Sequence, residues 1–425
     1  MNTLACAPPR ILAEAERVSV KPATIVRFVV ALLYLRWGAG VAENFGAPQV
    51  SEPAAVALMV GVGLVFLQQM AISARSVLLV AGLLAWVFTG TLSYVANPVS
   101  LPAESLALLA LLLLYALFAN VSFTHLGRVS SLSHLNRFLQ TFIIGGSVLS
   151  FYQIATDTGF VDAAKIHIQR ATGSDVHPVS FAIQMLAALA TLECIRAKLG
   201  QRKTLLHWVV LVLGVLALYL TFARTAWVMA FVTLAYVVFV RNGWIARATL
   251  LAFAIPAALA MLSMTDRFAD LGSLSLFWAS FSFDSLVFDH RFIDNSVSWR
   301  IVNWGYGLQQ AMEQPLLGFG PGQSASSSYF NLEMHNIFLE TFFEGGVFGL
   351  SAFLVVLAGL IKIHCGLICS TSADRYAKAL ANGFGLSLLA AVVLSTSLVD
   401  QLMTVLLYIL LLAVGSTPSK STAAG

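Results

Sequence analysis

Residues 103–121 read AESLALLALLLLYALFANV, and after Glu104 no charge interrupts the run. At 1.5 Å per residue such a helix covers most of a hydrocarbon core, which takes about 20 residues to cross. Comparable runs occupy 24–42, 53–72, 75–95, 137–154 and 178–196. Others follow at 203–222, 225–241, 246–264, 336–362, 377–398 and 401–416. Their succession predicts an all-α, polytopic integral membrane protein of about twelve transmembrane helices. Composition agrees. Only 10% of the 425 residues are charged, where a soluble domain carries about 25%. The formal net charge of +4 is spread along the chain, and without a basic face nucleic acid is excluded as a partner.

Charge sets the orientation. With a cytoplasmic N-terminus, twelve spans return the C-terminus to the same side, and 17 of the 24 basic residues then fall in or beside cytoplasmic segments. The turns at 43–52 and 96–102, on the other side, contain none. The positive-inside rule therefore places both termini in the cytoplasm, and the localisation expected is a bacterial inner membrane. The organisation expected is a tail at 1–23, nine spans over 24–264, a large periplasmic loop at 265–334, three spans over 335–416 and a tail at 417–425. Residues 1–23 lack the apolar core of a cleavable signal. All four cysteines, Cys6, Cys194, Cys365 and Cys369, lie on or near the cytoplasmic side, where a reduced state is expected. His364 beside the Cys365/Cys369 pair does not complete a metal site.

Two outer segments are long, 155–177 and 265–334, and loops of that length in a compact domain usually carry function. The second contains LSLFWASFSFDSLVFDH at 274–290, which is expected to lie in the membrane interface and gives the loop short helices. Seven basic residues depart from the charge rule: Arg36 inside the first span, and Lys165, Arg170, Arg224, Arg267, Arg291 and Arg300 at or beyond the outer face. Retention there calls for an anionic ligand or an acidic partner. For Arg267 and Arg291 neighbouring aspartates supply the partner. Arg224, in LYLTFARTAWVMAF, has no acid near it in sequence, and its charge points to an anionic ligand. Arg300, in SVSWRIVNWGYGL, opens an amphipathic helix and is open to either reading.

His335 heads the span HNIFLETFFEGGVFGL. The positive end of a helix dipole favours neutral imidazole there. Such a group can take a proton from a hydroxyl, or His335 and Asn336 can simply cap the helix. Gly318, Gly320 and Gly322 form a turn whose N–H groups could cradle a phosphate. Glu340 and Glu344 either line a cavity or serve as hydrogen-bonded structural carboxylates.

These segments together resemble the O-antigen polymerase/ligase superfamily, which includes bacterial O-oligosaccharyltransferases. The similarity is densest from Arg300 to Gly349: R-x3-W, then PLLGFGPGQ at 315–323, then H-N-x9-G-x2-G from His335. A second match is LTFARTAW at 220–227, with Ala223 where the family commonly has serine. A third is RATGSDVHP at 170–178, followed by Val179 in place of the family's asparagine. The resemblance implies a glycosyltransferase whose donor is an oligosaccharide on undecaprenyl pyrophosphate and whose acceptor is a sugar hydroxyl. Polymerisation of O-antigen or exopolysaccharide repeat units is the leading expectation. Transfer to lipid A–core by a ligase is the alternative, and a lipid-linked glycan or solute transporter is the second alternative. The same resemblance implies Arg224 and Arg300 at the departing pyrophosphate and His335 at the acceptor hydroxyl. Arg170, Asn336, Glu340 and the three glycines become substrate contacts. Membrane lipids and a chain-length regulator complete the expected partners, with neither metal nor cofactor.

Overall fold

The computed structural model describes residues 22–47, 50–69, 72–97, 102–161, 169–175, 177–241, 276–282, 298–324, 334–368, 375–394 and 401–417. The helices run α1 Pro22–Asn44, α2 Ser51–Gln69, α3 Val77–Ala96, α4 Pro102–Val121, α5 Leu132–Ala155, α6 Pro178–Leu199, α7 Leu205–Leu220 and α8 Arg224–Arg241. They continue as α9 Ser298–Ala311, α10 Ile337–Ile368, α11 Arg375–Leu394 and α12 Leu402–Gly415. Eleven of the apolar runs coincide with helices, and the one at 246–264 lies outside the described residues. Arg267, Arg291, Lys165 and most of the 274–290 stretch also lie outside them. Among the described residues, strand is confined to one antiparallel pair, β1 Phe160–Val161 and β2 Gln169–Arg170. The protein is an all-α polytopic membrane protein. Among the described residues, six helices are long and apolar enough to cross a membrane: α1, α3, α4, α5, α6 and α10.

The axis of the bundle is α6, almost wholly buried. It is surrounded by α5, α7, α8, α11 and α12, while α10 packs along α3. A helix apolar on all sides belongs at such a centre. The outer helices carry apolar side chains outward instead, among them Phe88 at 64% and Val95 at 77% exposure. In water such a surface would aggregate; against acyl chains it costs nothing. His364 sits between Asn382 Oδ1 (2.7 Å) and the Tyr408 hydroxyl (2.8 Å), so it ties α10, α11 and α12 together.

One break in this bundle positions the functional loops. At Gly346 the backbone of α10 turns to φ 59°, ψ −157°, interrupting the helical ladder. Within a membrane the backbone groups that a break releases must find partners in the protein. The segment 315–320 supplies them. Phe319 and Gly320 donate N–H bonds to the carbonyls of Phe343 and Glu344, each at 2.9 Å, and Val347 N–H returns one to Pro315 (2.8 Å). Ser93 Oγ donates to the Glu344 carbonyl at 2.9 Å, and Asn97 Nδ2 to that of Gly318 at 2.8 Å, so α3 joins the clamp.

Approach this close requires glycine on both sides. A Cβ on Gly346 would lie 2.3 Å from the Leu316 carbonyl, and one on Gly318 would lie 2.5 Å from the Phe343 oxygen. Both residues also have left-handed φ. Gly346→Ala is expected to lower stability by at least the ~1–3 kcal/mol typical of a strained backbone position. Gly345→Ala, where a Cβ meets open space, is expected to leave it nearly unchanged. Thermal unfolding of the two variants in detergent compares them directly.

Candidate functional site

Three loops meet at the end of the bundle where α6, α8 and α10 begin. The first, residues 169–175 with His177 and Pro178, is held from below by the buried Gln153. Its amide donates to Thr172 Oγ1 (3.0 Å) and to the Gly173 carbonyl (3.1 Å), and its oxygen accepts the N–H groups of both residues. Gly173 has φ 55° and lies against the Phe181 ring, which a Cβ would meet at 2.2 Å. Arg36 approaches this loop from α1: its Nη1 is 3.5 Å from a Cβ built on Gly40, which also faces the Ser174 carbonyl. Asp175 and Glu43 are its electrostatic partners. The basic residue deepest in a span thus sits in the electrostatic field of the loop.

The second loop is the turn between α7 and α8. Ala171 N–H donates to the Leu220 carbonyl (3.0 Å) and Arg170 Nε–H to that of Thr221 (2.9 Å). These bonds seat the first loop on the turn three residues before Arg224. Phe222 at its apex has φ 47°, and Tyr219 stacks on Trp227 at 5.6 Å across it. Ala223 is fully buried under Arg224, and Arg224 itself is half-buried.

The third comprises the start of α9 and residues 334–336. The Arg300 guanidinium lies 5.3 Å from the Trp299 ring. That ring meets His335 edge-on at 5.2 Å. Trp304 Nε1 donates to the Met334 carbonyl at 2.6 Å, pinning α9 to the head of α10. His335 is half-buried with φ 50°, a left-handed conformation that is uncommon outside glycine and asparagine and that clusters at functional sites. Its Nδ1 is buried and meets no hydrogen-bond partner among the described residues. Burial, then the charges of Arg300 and His177, lower its pKa from 6.5 to about 4.

His177 is the residue that sequence reasoning passed over. It caps α6, with Nδ1 accepting the Val179 N–H at 3.2 Å. In the neutral ring the proton then sits on Nε2, which makes that atom a donor. Burial and the Arg170 charge hold its pKa below the usual value, with Asp175 acting in the opposite sense. The available signal was a histidine just before Pro178, since proline favours the first helical turn and histidine has side-chain nitrogens to cap with. His335, Arg300, His177 and Arg170 form one electrostatic neighbourhood, and Arg224 opens from the turn that Arg170 bonds.

Other expected contacts are engaged within the protein. Asn336 Oδ1 accepts the N–H groups of Phe338 (3.1 Å) and Leu339 (3.2 Å), so Asn336 is the cap of α10 and His335 precedes it. The N–H groups of Gly318 and Gly320 go to the carbonyls of Gln314 and Glu344, and that of Gly322 goes to the Glu344 carboxylate. Two of the three N–H groups thus serve the broken helix and the third serves Gln314. Glu340 accepts from Ser324 Oγ at 3.3 Å.

Fold and site together define a polytopic membrane protein with arginines and histidines gathered at one end of its bundle. The family profile described as "O-Antigen ligase" matches residues 209–354, the stretch holding Arg224, Arg300, His335 and the break at Gly346. This supports the O-antigen polymerase/ligase superfamily, whose members are glycosyltransferase-like enzymes acting on lipid-linked glycans and acceptors. The match stops short of Arg170 and His177. No curated protein matches the chain. Asn336→Ala is expected to cost about 1 kcal/mol, as loss of a cap does, and Asn336→Asp to retain the cap; unfolding midpoints in detergent distinguish them.

Proposed function

We propose that this protein is an inner-membrane glycosyltransferase with its site facing the periplasm, and that it joins repeat units of a surface polysaccharide. The donor is an oligosaccharide on undecaprenyl pyrophosphate and the acceptor a sugar hydroxyl of another repeat unit. The observation carrying this reading is the neighbourhood of His335 and Arg300, with Arg224 and Arg170 on adjoining loops.

The acceptor oxygen attacks the anomeric carbon as the bond from that carbon to the pyrophosphate oxygen breaks. His335 takes the hydroxyl proton. Negative charge develops on the departing undecaprenyl pyrophosphate, where Arg224 and Arg300 stabilise it with charge-assisted hydrogen bonds. Arg170 and the Nε2–H of His177 contact the pyrophosphate or the first sugar. Arginines supply the positive charge throughout, so the scheme calls for no metal. A half-buried imidazole with a pKa near 4 is a weak base in the free protein. The anionic donor counters the charge of Arg300 and raises it, which couples basicity to donor binding.

The description of the matching family as a ligase favours a second reading, in which lipid A–core is the acceptor. Deleting the gene separates the two. Loss of the polymerase leaves single repeat units and no long chains. Loss of a ligase leaves full-length chains on the lipid carrier and bare lipid A–core. Normal glycan of normal length and attachment overturns both.

Two outcomes are expected of the purified enzyme. Arg224→Ala and His335→Ala each abolish transfer, a loss of at least ~100-fold for a charge-stabilising or proton-accepting group, while membrane insertion is unchanged. In the pH profile, a group whose pKa is lowered stays neutral until the pH falls through the lowered value. The acid limb of kcat/KM, which reports the free enzyme, is therefore expected near 4 rather than 6.5, with that of kcat at higher pH.

A further inference from the structure

The opposite end of the bundle holds a second cationic feature that the transfer reaction does not use. α3 and α4 each touch the glycine turn with one terminus, through Asn97 and Gly318 and through Ser105 and Pro321. Their other termini meet at the far end, beside the last turn of α12. A cavity of about 450 Å³ opens there, lined by Arg75, Arg128, Ser73 and Thr124 together with Ile72, Phe123 and Val129.

The local backbone explains why the two arginines gather. After Val121 the chain forms a π turn, Ser122–Leu126, closed by Gly127 N–H reaching back to the Ser122 carbonyl at 2.8 Å. The widened turn offers the Thr124 carbonyl to Arg128 Nε–H at 2.7 Å. Gly127 lies tight under α12, where a Cβ would meet the Ala413 carbonyl at 2.9 Å. Across the cavity, Arg75 Nη1 donates to the Ser416 carbonyl at 2.8 Å. π turns of this kind occur frequently at functional sites.

Capping of helix ends explains only part of this arrangement. A guanidinium carries five N–H donors, and each of these two uses one on a carbonyl. No carboxylate among the described residues pairs with either. Thr124 Oγ1 is buried without a hydrogen-bond partner. The cavity therefore combines unused cationic donors, a hydroxyl and an apolar wall, and Ile72 on that wall is 47% exposed toward the surroundings of the bundle.

We propose that this cavity binds a phosphate group presented by an anionic phospholipid headgroup. The two guanidiniums and the Thr124 hydroxyl hold the phosphate oxygens, and Ile72, Phe123 and Val129 take the start of the acyl region. Basic pockets between transmembrane helices recognise headgroups in this way. The site is independent of the transfer chemistry proposed above.

The test is native mass spectrometry of the full-length protein, exchanged into micelles holding equal phosphatidylglycerol and phosphatidylcholine. The wild type is expected to retain phosphatidylglycerol over phosphatidylcholine by roughly tenfold, given two cationic contacts. Arg75→Gln with Arg128→Gln is expected to abolish that preference in a protein of unchanged helix content. Thr124→Val, which keeps both charges, is expected to weaken it less. Equal retention of the two lipids by the wild type, or an undiminished preference in the double variant, overturns the proposal. Inorganic phosphate supplies the remaining arm. If it raises the melting temperature of lipid-free wild type but not of the double variant, and no lipid preference is seen, the site takes free phosphate and the lipid assignment is overturned.

Discussion

The rest of the structure depends on the break in α10 at Gly346. A helix interrupted inside a bilayer exposes carbonyl and N–H groups that lipid cannot satisfy. The chain meets that demand with the turn at 315–320, which hydrogen-bonds to residues 343–348. The clamp fixes where α9 ends relative to the head of α10. Through Trp304 and Met334 it sets Trp299, Arg300 and His335 side by side. The glycines that look like a phosphate cradle are the means by which two backbones come within hydrogen-bonding distance.

The same economy governs the other two loops. Gln153 uses both ends of its amide to hold residues 172–173, and Arg170 holds the α7–α8 turn through its Nε–H. Elements far apart in sequence are thus tied to one end of the bundle by a few polar contacts. Two non-glycine residues there, Phe222 and His335, adopt left-handed backbone conformations. Such conformations persist where surrounding packing over-determines them. At His335 the constraint comes from Asn336, which caps α10, and from the Trp299 ring.

Much of the fold is legible in the sequence because hydrophobicity and length are local properties. The runs at 53–72 and 178–196 map onto α2 and α6 within a few residues. The break at Gly346 is not legible this way, since the run through it is long and mostly apolar, with Glu340 and Glu344 its charged residues near the break, and only the partner segment thirty residues earlier explains the glycine. Arg224 and Arg300 stand out as violations of charge topology. Arg36 stands out equally, yet it lies in the field of Asp175, a relation between residues more than a hundred positions apart. His177 escapes notice because a single histidine before a proline carries no periodic or charge signal. That Asn336 caps α10 and that the turn glycines bond the protein's own groups is visible only in three dimensions.

The central claim is that Arg224, Arg300 and His335 surround one pyrophosphate. A cryo-EM structure of the protein with undecaprenyl pyrophosphate bound tests it most directly. The account predicts density for the two phosphates between Arg224 and Arg300, with the His335 imidazole on the side from which an acceptor sugar would enter. Pyrophosphate bound elsewhere on the protein, with both arginines remote from it, would contradict the account.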